Sequence, residues 1–199
     1  METFNYKKAV QALVFFCQKE QEKKINKIKA LKLLFFAERF HLRKYSRMIT
    51  NDSYWAMGMG PVASGTKDLI DSTRYGSDKG KTYAQKHLHN FPKHLIASRT
   101  ELDKEVFSES DIESLEFAWE KFGKYNYPKI IDITHEYPEW EKYSIKLDKE
   151  GIDRVKIDIT DFLDDPKTGI EKCFDLTPED KTIIIEYLKE RKAIEDLWN

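Results

Sequence analysis

Apolar positions at helical spacing predict two consecutive helices at the start of the chain. The first covers 6–19, where apolar residues recur at Tyr6, Val10, Leu13, Val14 and Cys17. Polar residues at 19–24 predict a turn, and Asn26 is placed to cap a second helix over 27–42. That second helix is apolar most of the way round, which is typical of a helix at the centre of a core. We therefore predict that it is the buried spine of the fold.

An aromatic segment follows the second helix. Residues 43–51 are basic and turn-like, and 53–59 is rich in aromatic residues, which predicts a short extended segment. Gly60 and Pro61 are expected to end this segment, so that a third helix begins at Pro61 or at the residue after it. Residues 72–80 are rich in glycine, serine and threonine and predict a loop.

The second half of the chain predicts a hairpin, several helices and one more strand. The hairpin would pair 94–97 with 105–107, and Ser108 would cap a helix that ends at Gly123. The remaining predicted elements are helices at 128–134 and 138–143, a strand at 154–159 and a closing helix from Thr177. The fold predicted is mainly α with a minor β part: a compact helical domain around the central helix, with a small antiparallel β element.

Composition agrees with one packed domain. Hydrophobic residues make up 40% of the 199 positions, which is enough to form a core without disulfides or a structural metal. Cys17 and Cys173 both lie in apolar stretches and are expected to be small buried residues. The chain lacks an apolar run long enough to span a bilayer and a basic leader before its first apolar run. We therefore expect a cytoplasmic protein without a membrane partner.

The charges are balanced overall but unevenly distributed along the chain. The net charge is −1, so no general field attracts the protein to nucleic acid. Lysines crowd 19–32, whereas acidic residues crowd 105–120 and 158–180. Two interpretations are open: basic and acidic helices pack against each other, or one charged face meets a charged partner. Nucleic-acid binding is an alternative, in which the lysines at 19–32 and the basic residues at 39–47 contact phosphates and Tyr45, Tyr54 and Trp55 stack on bases.

The sequence contains no motif typical of catalysis, metal binding or nucleotide binding. His87, His89 and His94 are close in sequence but have no cysteine or carboxylate ladder beside them, which favours three polar loop residues. A nucleophile elbow and glycine-rich phosphate loops are missing. We predict no catalytic residue, no metal and no cofactor. A hydrolase would instead need a polar pocket around His41 or His135.

Two blocks of sequence carry a family resemblance. The first contains Leu31, Leu33, Leu34, Phe35, Phe36 and Ala37, then His41, Leu42, Tyr45, Arg47, Ile49 and Thr50, then Tyr54, Trp55 and Ala56, then Gly60, Pro61 and Val62. The second covers 107–115 and continues with His135 and Trp140. In order and spacing these blocks resemble the Panacea domain, the SocA-like antitoxin domain of prokaryotic toxin–antitoxin pairs.

The resemblance divides the chain into two parts. Residues 1–143 are expected to form the Panacea-like domain, and 144–199 a C-terminal extension packed on the same domain. Ser46 departs from the family, which often has glycine there. The extension is the least family-like part, which makes it a candidate for specificity or docking.

The resemblance implies an antitoxin that neutralises a cognate toxin, encoded beside it, by direct contact. A proteolytic adaptor that delivers a toxin to a protease and a nucleic-acid-binding regulator are the alternatives. The residues expected to bind the partner are of types enriched at interfaces, namely Tyr45, Arg47, Tyr54, Trp55, Met57 and Met59. For Tyr54, Trp55 and Met57, alternation into the core is equally open. Structural roles are expected for Leu34, Phe35, His41, Gly60, Pro61, His135 and Trp140.

Overall fold

The computed structural model describes residues 4–92, 94–149 and 151–197. Its helices are α1 Tyr6–Lys19, α2 Lys27–Tyr45, α3 Ser64–Ile70, α4 Asp78–His87, α5 Glu109–Phe122, α6 Tyr127–His135, α7 Pro138–Glu141, α8 Ser144–Lys149 and α9 Pro178–Leu197. Its strands are β1 Lys24–Asn26, β2 Tyr54–Met57, β3 Gly60–Ala63, β4 Leu88–Phe91, β5 Leu95–Ser98 and β6 Arg154–Lys156. The strands form two antiparallel sheets, ordered β1-β5-β4 and β3-β2-β6. The mainly α fold with small antiparallel sheets is confirmed.

Helix α2 is the buried centre of the fold, as the sequence predicted. The Asn26 side chain caps it by accepting hydrogen bonds from two backbone N–H groups of its first turn. Residues 33–37 are fully buried, Leu34 and Phe35 among them. The Phe35 ring packs against three aromatic rings from different parts of the chain, namely Tyr54, Tyr137 and Phe162. The helix runs three residues further than predicted, to Tyr45. The next residue, Ser46, caps the helix with a φ of 57°, a left-handed conformation that favours glycine.

The prediction of a helix beginning at Pro61 was wrong. Residues Gly60–Ala63 form strand β3, which pairs with β2 in a hairpin whose register places Met57 opposite Gly60. Pro61 is tolerated because β3 is an edge strand, where a missing backbone N–H costs no ladder hydrogen bond. Helix α3 begins after this ladder, at Ser64.

Three other local predictions were wrong in part. Strand β5 exists, but it pairs with β1 and β4, and residues 104–106 form a 3-10 helix instead of its partner. Helix α4 begins within the predicted loop, where the Ser77 hydroxyl caps it at Gly80 N. The predicted strand at 154–159 stops at Lys156 and is followed by a second 3-10 helix, Ile159–Leu163.

Residues after 143 contribute to the same core as α2. Phe162 and Cys173 are fully buried, Leu163 is nearly so, and Ile184 at the start of α9 is also buried. Cys17 is buried in the same core, and neither cysteine forms a disulfide. The extension therefore packs on the helices that precede it.

Candidate partner-binding surface

The unevenly distributed charges meet each other within the fold. Lysines of the basic stretch form ion pairs with acidic residues on other elements or turns: Lys19 with Glu116 at 2.6 Å, Lys27 with Asp71 at 3.1 Å and Lys29 with Glu20 at 2.7 Å. Lys8 of α1 reaches Asp111 at the start of α5, and Lys44 reaches Glu113. The Lys19–Glu116 pair joins the basic stretch to the acidic helix α5, and Lys8 and Lys44 pair with the same helix from α1 and α2. This neutralisation removes much of the charge that a phosphate backbone would need.

Two arginines expected in a basic loop are instead buried on α2. Arg39 donates to Glu139 of α7, to the Lys172 carbonyl at 3.3 Å and to the Asp164 carbonyl at 2.5 Å. Arg43, one turn later, donates to the carbonyls of Phe174 (2.7 Å) and Phe162 (3.3 Å) and to the Asp165 carboxylate (2.6 Å). These hydrogen bonds attach segment 162–174 to α2, and we call them the clamp. Both guanidinium groups are buried and therefore inaccessible to a phosphate backbone. Arg39 and Arg43 are four residues apart and follow the apolar run 33–37 of the same helix, and this placement was the sequence signal for the clamp.

His41 is also buried, and it lies in a polar cluster at the start of α5. Its Nδ1 lies 2.7 Å from the Arg47 carbonyl and must donate to it, because a carbonyl only accepts. Its Nε2 lies 3.2 Å from both Ser110 Oγ and Asp111 Oδ1. Burial raises the pKa of Asp111, but hydrogen bonds from His41, Lys8 and the Ser108 N–H outweigh it and hold that pKa well below its ordinary value.

This cluster does not have the arrangement of a hydrolytic triad. In a triad the acid orients one imidazole nitrogen while the other faces the serine. Here Ser110 and Asp111 share one nitrogen, and a backbone carbonyl takes the other. The His41 side chain is 0% exposed, so a substrate has no access to it. The arrangement instead fixes the end of α2 to α5.

Tyr45 and Arg47, predicted to bind the partner, take part in the same attachment. The Tyr45 hydroxyl donates to Glu113, and Arg47 donates to Ser108 Oγ at 3.1 Å and Ser110 Oγ at 2.8 Å. Both side chains are partly exposed. Because their polar atoms already have partners within the chain, substitutions here would disturb the fold as well as the surface.

The connection between α2 and the hairpin is held by two buried carboxylates. Glu38 of α2 accepts from Ile49 N at 2.6 Å, from Thr50 N at 2.9 Å and from the Thr50 hydroxyl. Asp52 accepts from two N–H groups at the start of α3, those of Gly65 and Thr66, both at 2.7 Å. Burial raises the pKa of both carboxyl groups, to about 7 for Glu38. These contacts set the path by which the chain enters β2.

Strand β2 alternates between core and surface. Tyr54 and Ala56 are buried, whereas Trp55 and Met57 are partly exposed on the opposite face. Met59, in the turn between β2 and β3, is 54% exposed. Tyr54 is therefore a core residue, and we leave it out of the proposed surface.

Strand β6 adds two cations to the outer face of this sheet. The register places Lys156 opposite Trp55 and Arg154 opposite Met57. The Arg154 guanidinium lies over the Trp55 ring, 4.8 Å from its centre, in a cation–π contact. We call the side chains of Trp55, Met57, Met59, Arg154 and Lys156 the hairpin face. Local sequence patterns do not indicate that β6 joins this sheet, because the pairing links residues about one hundred positions apart.

Helices α6 and α7 pack against the β2–β3 hairpin. The Trp140 indole donates to the Met57 carbonyl at 2.7 Å, and the His135 ring stacks on Trp140 with centroids 3.7 Å apart. Lys32 of α2, which is 1% exposed, donates to the Pro61 carbonyl at 2.7 Å. Burial lowers the pKa of Lys32 well below its ordinary value. Lys32 directly precedes the apolar run 33–37, and this position was the sequence signal that its side chain is buried and not part of a basic surface.

Replacing Gly60 with alanine should lower the free energy of unfolding by about 1–3 kcal/mol. Gly60 has a φ of +91°, and a Cβ there would lie 2.6 Å from Thr134 Oγ1 and 2.7 Å from Lys32 Nζ. Urea denaturation of the variant measures the loss. Gly58→Ala in the same hairpin is the control, because nothing lies within 4 Å of its Cβ position. Equal stability of the two variants would contradict this account.

The residues predicted to bind the partner fall into two separate groups. Pro61 lies beside Lys32, whereas Tyr45 ends α2 thirteen residues later. At a rise of 1.5 Å per residue these positions are about 20 Å apart along the helix. Trp55, Met57 and Met59 therefore belong to the hairpin face, and Tyr45 and Arg47 to the attachment of α2 to α5.

The three histidines grouped in the sequence have different surroundings. His87 ends α4 and bonds to Thr100 Oγ1 at 2.7 Å, His89 lies in β4, and His94 is in a turn with φ of 59°. The prediction that all three are loop residues was therefore wrong for His87 and His89. Within the described ranges, no group of three or more His, Cys, Asp or Glu side chains is placed to hold a metal. Nor does any described helix have the length and apolar content to cross a membrane.

Comparison with known protein families identifies a matching domain. The family model described as antitoxin SocA-like, Panacea domain, matches residues 31–141. This segment includes most of α2, the β2–β3 hairpin and helices up to α7, but not β6 or α9. No curated protein and no solved structure matches the chain significantly.

Proposed function

The chain belongs to the SocA-like Panacea antitoxin family, and we propose that it is an antitoxin that neutralises a cognate toxin by direct contact through the hairpin face. The toxin is proposed to be encoded beside it. Neutralisation is by occupancy: the antitoxin covers the active site or the substrate-binding face of the toxin. We place this action in the cytoplasm, where the two unpaired cysteines would stay reduced.

The observation that carries this proposal is the exposure of interface-type side chains on a supported sheet. Trp55, Met57 and Met59 point away from the core, and Met59 is more than half exposed. Tryptophan, methionine and arginine are enriched in the cores of protein interfaces. The Trp140 hydrogen bond to the Met57 carbonyl holds the strand in place before binding. A surface fixed in advance loses less conformational entropy when it binds.

Trp55→Ala should weaken binding of the toxin by about 2 kcal/mol, or roughly thirtyfold in Kd. The substitution removes a large side chain and the ring on which Arg154 rests. The product of the adjacent gene, made catalytically inactive, serves as the partner for calorimetry, and growth rescue by co-expression is measured with the active toxin. Tyr75→Ala is the control, because Tyr75 is an exposed aromatic residue elsewhere, on the connection between α3 and α4.

The outcomes separate the possible mechanisms. Rescue with an unchanged toxin level supports occupancy, whereas rescue accompanied by loss of the toxin supports delivery to a protease. Failure of the wild-type chain to bind or to rescue would refute the proposed function. Arg47 is unsuitable for this test because it also attaches the chain to Ser108 and Ser110.

A further inference from the structure

Helix α9 exposes an apolar stripe to solvent. Ile183, Tyr187, Ile194 and Leu197 are 64%, 45%, 57% and 84% exposed. Ile184 is 4% exposed and faces the core, where Ile185 and Leu188 also pack. The helix therefore has two apolar sides, one packed on the protein and one open. We call the four exposed residues the α9 stripe.

The spacing of the α9 stripe is that of a helix that packs against a partner. Its members are separated by four, seven and three residues, which keeps them on one side of the helix. The stripe also carries acidic charge. Glu190 lies within it, three residues after Tyr187 and four before Ile194, and Glu186 lies one turn earlier; both are exposed. The open side of α9 is therefore both apolar and acidic.

We propose that the α9 stripe docks into a basic, apolar groove of the toxin. This inference rests on the proposed function, and it gives the extension a second contact with the toxin, separate from the hairpin face. Glu190 would be buried at the centre of the contact, and a buried carboxylate requires a cationic partner. A Lys or Arg of the toxin facing Glu190 satisfies this requirement.

A second copy of this chain is a poorer occupant of the stripe. In a parallel pair of helices in register, Glu190 of one copy meets Glu190 of the other. In an antiparallel pair centred on the stripe, Glu190 again meets its counterpart, because it is midway between Ile183 and Leu197. Like charges placed opposite each other in a buried contact are destabilising. Charge complementarity therefore favours a basic partner over self-association.

The position of α9 outside the family-matched segment also suits a surface that selects a particular toxin. The family match ends at residue 141, whereas α9 begins at Pro178. The beginning of the helix is held to the protein by the Lys181 ion pair with Asp164, whose carbonyl accepts from Arg39. The hairpin face, whose strands β2 and β3 lie in the family-matched segment, and the α9 stripe, which lies outside it, would then contact the toxin separately. Two contacts linked in this way raise the overall affinity beyond that of either one.

The test measures binding of the full chain to the inactive product of the adjacent gene at low and high salt. One variant reverses charge, E186K/E190K, and another removes the apolar surface, I183S/Y187S/I194S. Both should weaken binding by about tenfold or more, and the loss in the charge variant should shrink at high salt. The control E120K/D132K makes the same charge change at exposed positions on α5 and α6 and should change Kd less than about twofold. Circular dichroism verifies that each variant is folded.

The binding of the wild type and of the two α9 variants separates this inference from the proposed function. Wild-type binding that both α9 variants retain would overturn this inference and leave the proposed function intact. If the wild-type chain does not bind, the proposed function fails and this inference fails with it. Analytical ultracentrifugation of the chain alone tests whether a second copy occupies the stripe. A dimer that the apolar variant dissociates would assign the stripe to self-association and overturn the proposal.

Discussion

Replacing Arg39 with leucine should lower the free energy of unfolding by about 3–5 kcal/mol. The substitution leaves the Glu139 carboxylate buried without its cation. It also removes the donor to the Lys172 carbonyl and the closer of the two donors to the Asp164 carbonyl. Unpaired buried charges and acceptors carry the desolvation cost without compensation. Urea denaturation followed by circular dichroism measures the change.

Two further variants isolate the cause of this loss. R39L/E139L removes both charges of the buried pair and should recover part of the lost stability, because no carboxylate is left unpaired. Lys121→Leu breaks an exposed ion pair with Glu171 of the same C-terminal segment, at 3.2 Å, and should cost less than about 0.5 kcal/mol. A loss for R39L as small as that for K121L would show that the clamp does not hold the segment.

The clamp connects the two parts of the proposed interface. Arg39 and Arg43 lie in the family-matched segment, and apart from Glu139 their acceptors lie between 162 and 174, just before α9. The hairpin face rests on the same helix through Lys32 and Pro61. Buried polar side chains of α2 therefore position both the hairpin face and the extension.

The part of the fold that sequence predicts well is the part that depends on local periodicity. α1, α2 and α5 follow from the spacing of apolar residues and from side chains that cap within three positions, such as Asn26 and Ser108. The pairings of β1 with β5 and of β2 with β6 were missed because they join distant parts of the chain, whereas the local β2–β3 hairpin was missed because Gly60 and Pro61 favour a turn. β3 contains a proline and resembles a turn until β2 is beside it, and β6 has three residues that pair about one hundred positions away.

The candidate surface was predicted only in part, for a related reason. Residue type alone cannot tell the outward Trp55 from the inward Tyr54, because both suit an interface and a core. Alternation decides between them once the strand and its buried face are known. Arg39 and His41 are basic residue types, yet both are buried because their carboxylate partners come from α7 and α5, which local sequence patterns do not reveal.

Replacing Glu38 with alanine should also lower the free energy of unfolding by about 3–5 kcal/mol. The buried N–H groups of Ile49 and Thr50 and the Thr50 hydroxyl would lose their acceptor together. Each unsatisfied buried donor costs about 1–3 kcal/mol. Because this loop leads into β2, the variant should also weaken toxin binding. Urea denaturation measures the first effect and calorimetry with the inactive toxin the second.

The pH dependence of Glu38→Gln provides an independent measurement of the same contact. Burial raises the pKa of Glu38 to about 7 in the fold, against about 4.3 in the unfolded chain. The folded state therefore binds more protons between these values, so the stability contributed by Glu38 is complete below about pH 4.3 and is lost as pH rises through 7. The stability of the wild type relative to E38Q should fall across this window and then level off. A difference that stays constant or grows with pH would show that Glu38 is ionised throughout, with its hydrogen bonds outweighing its burial.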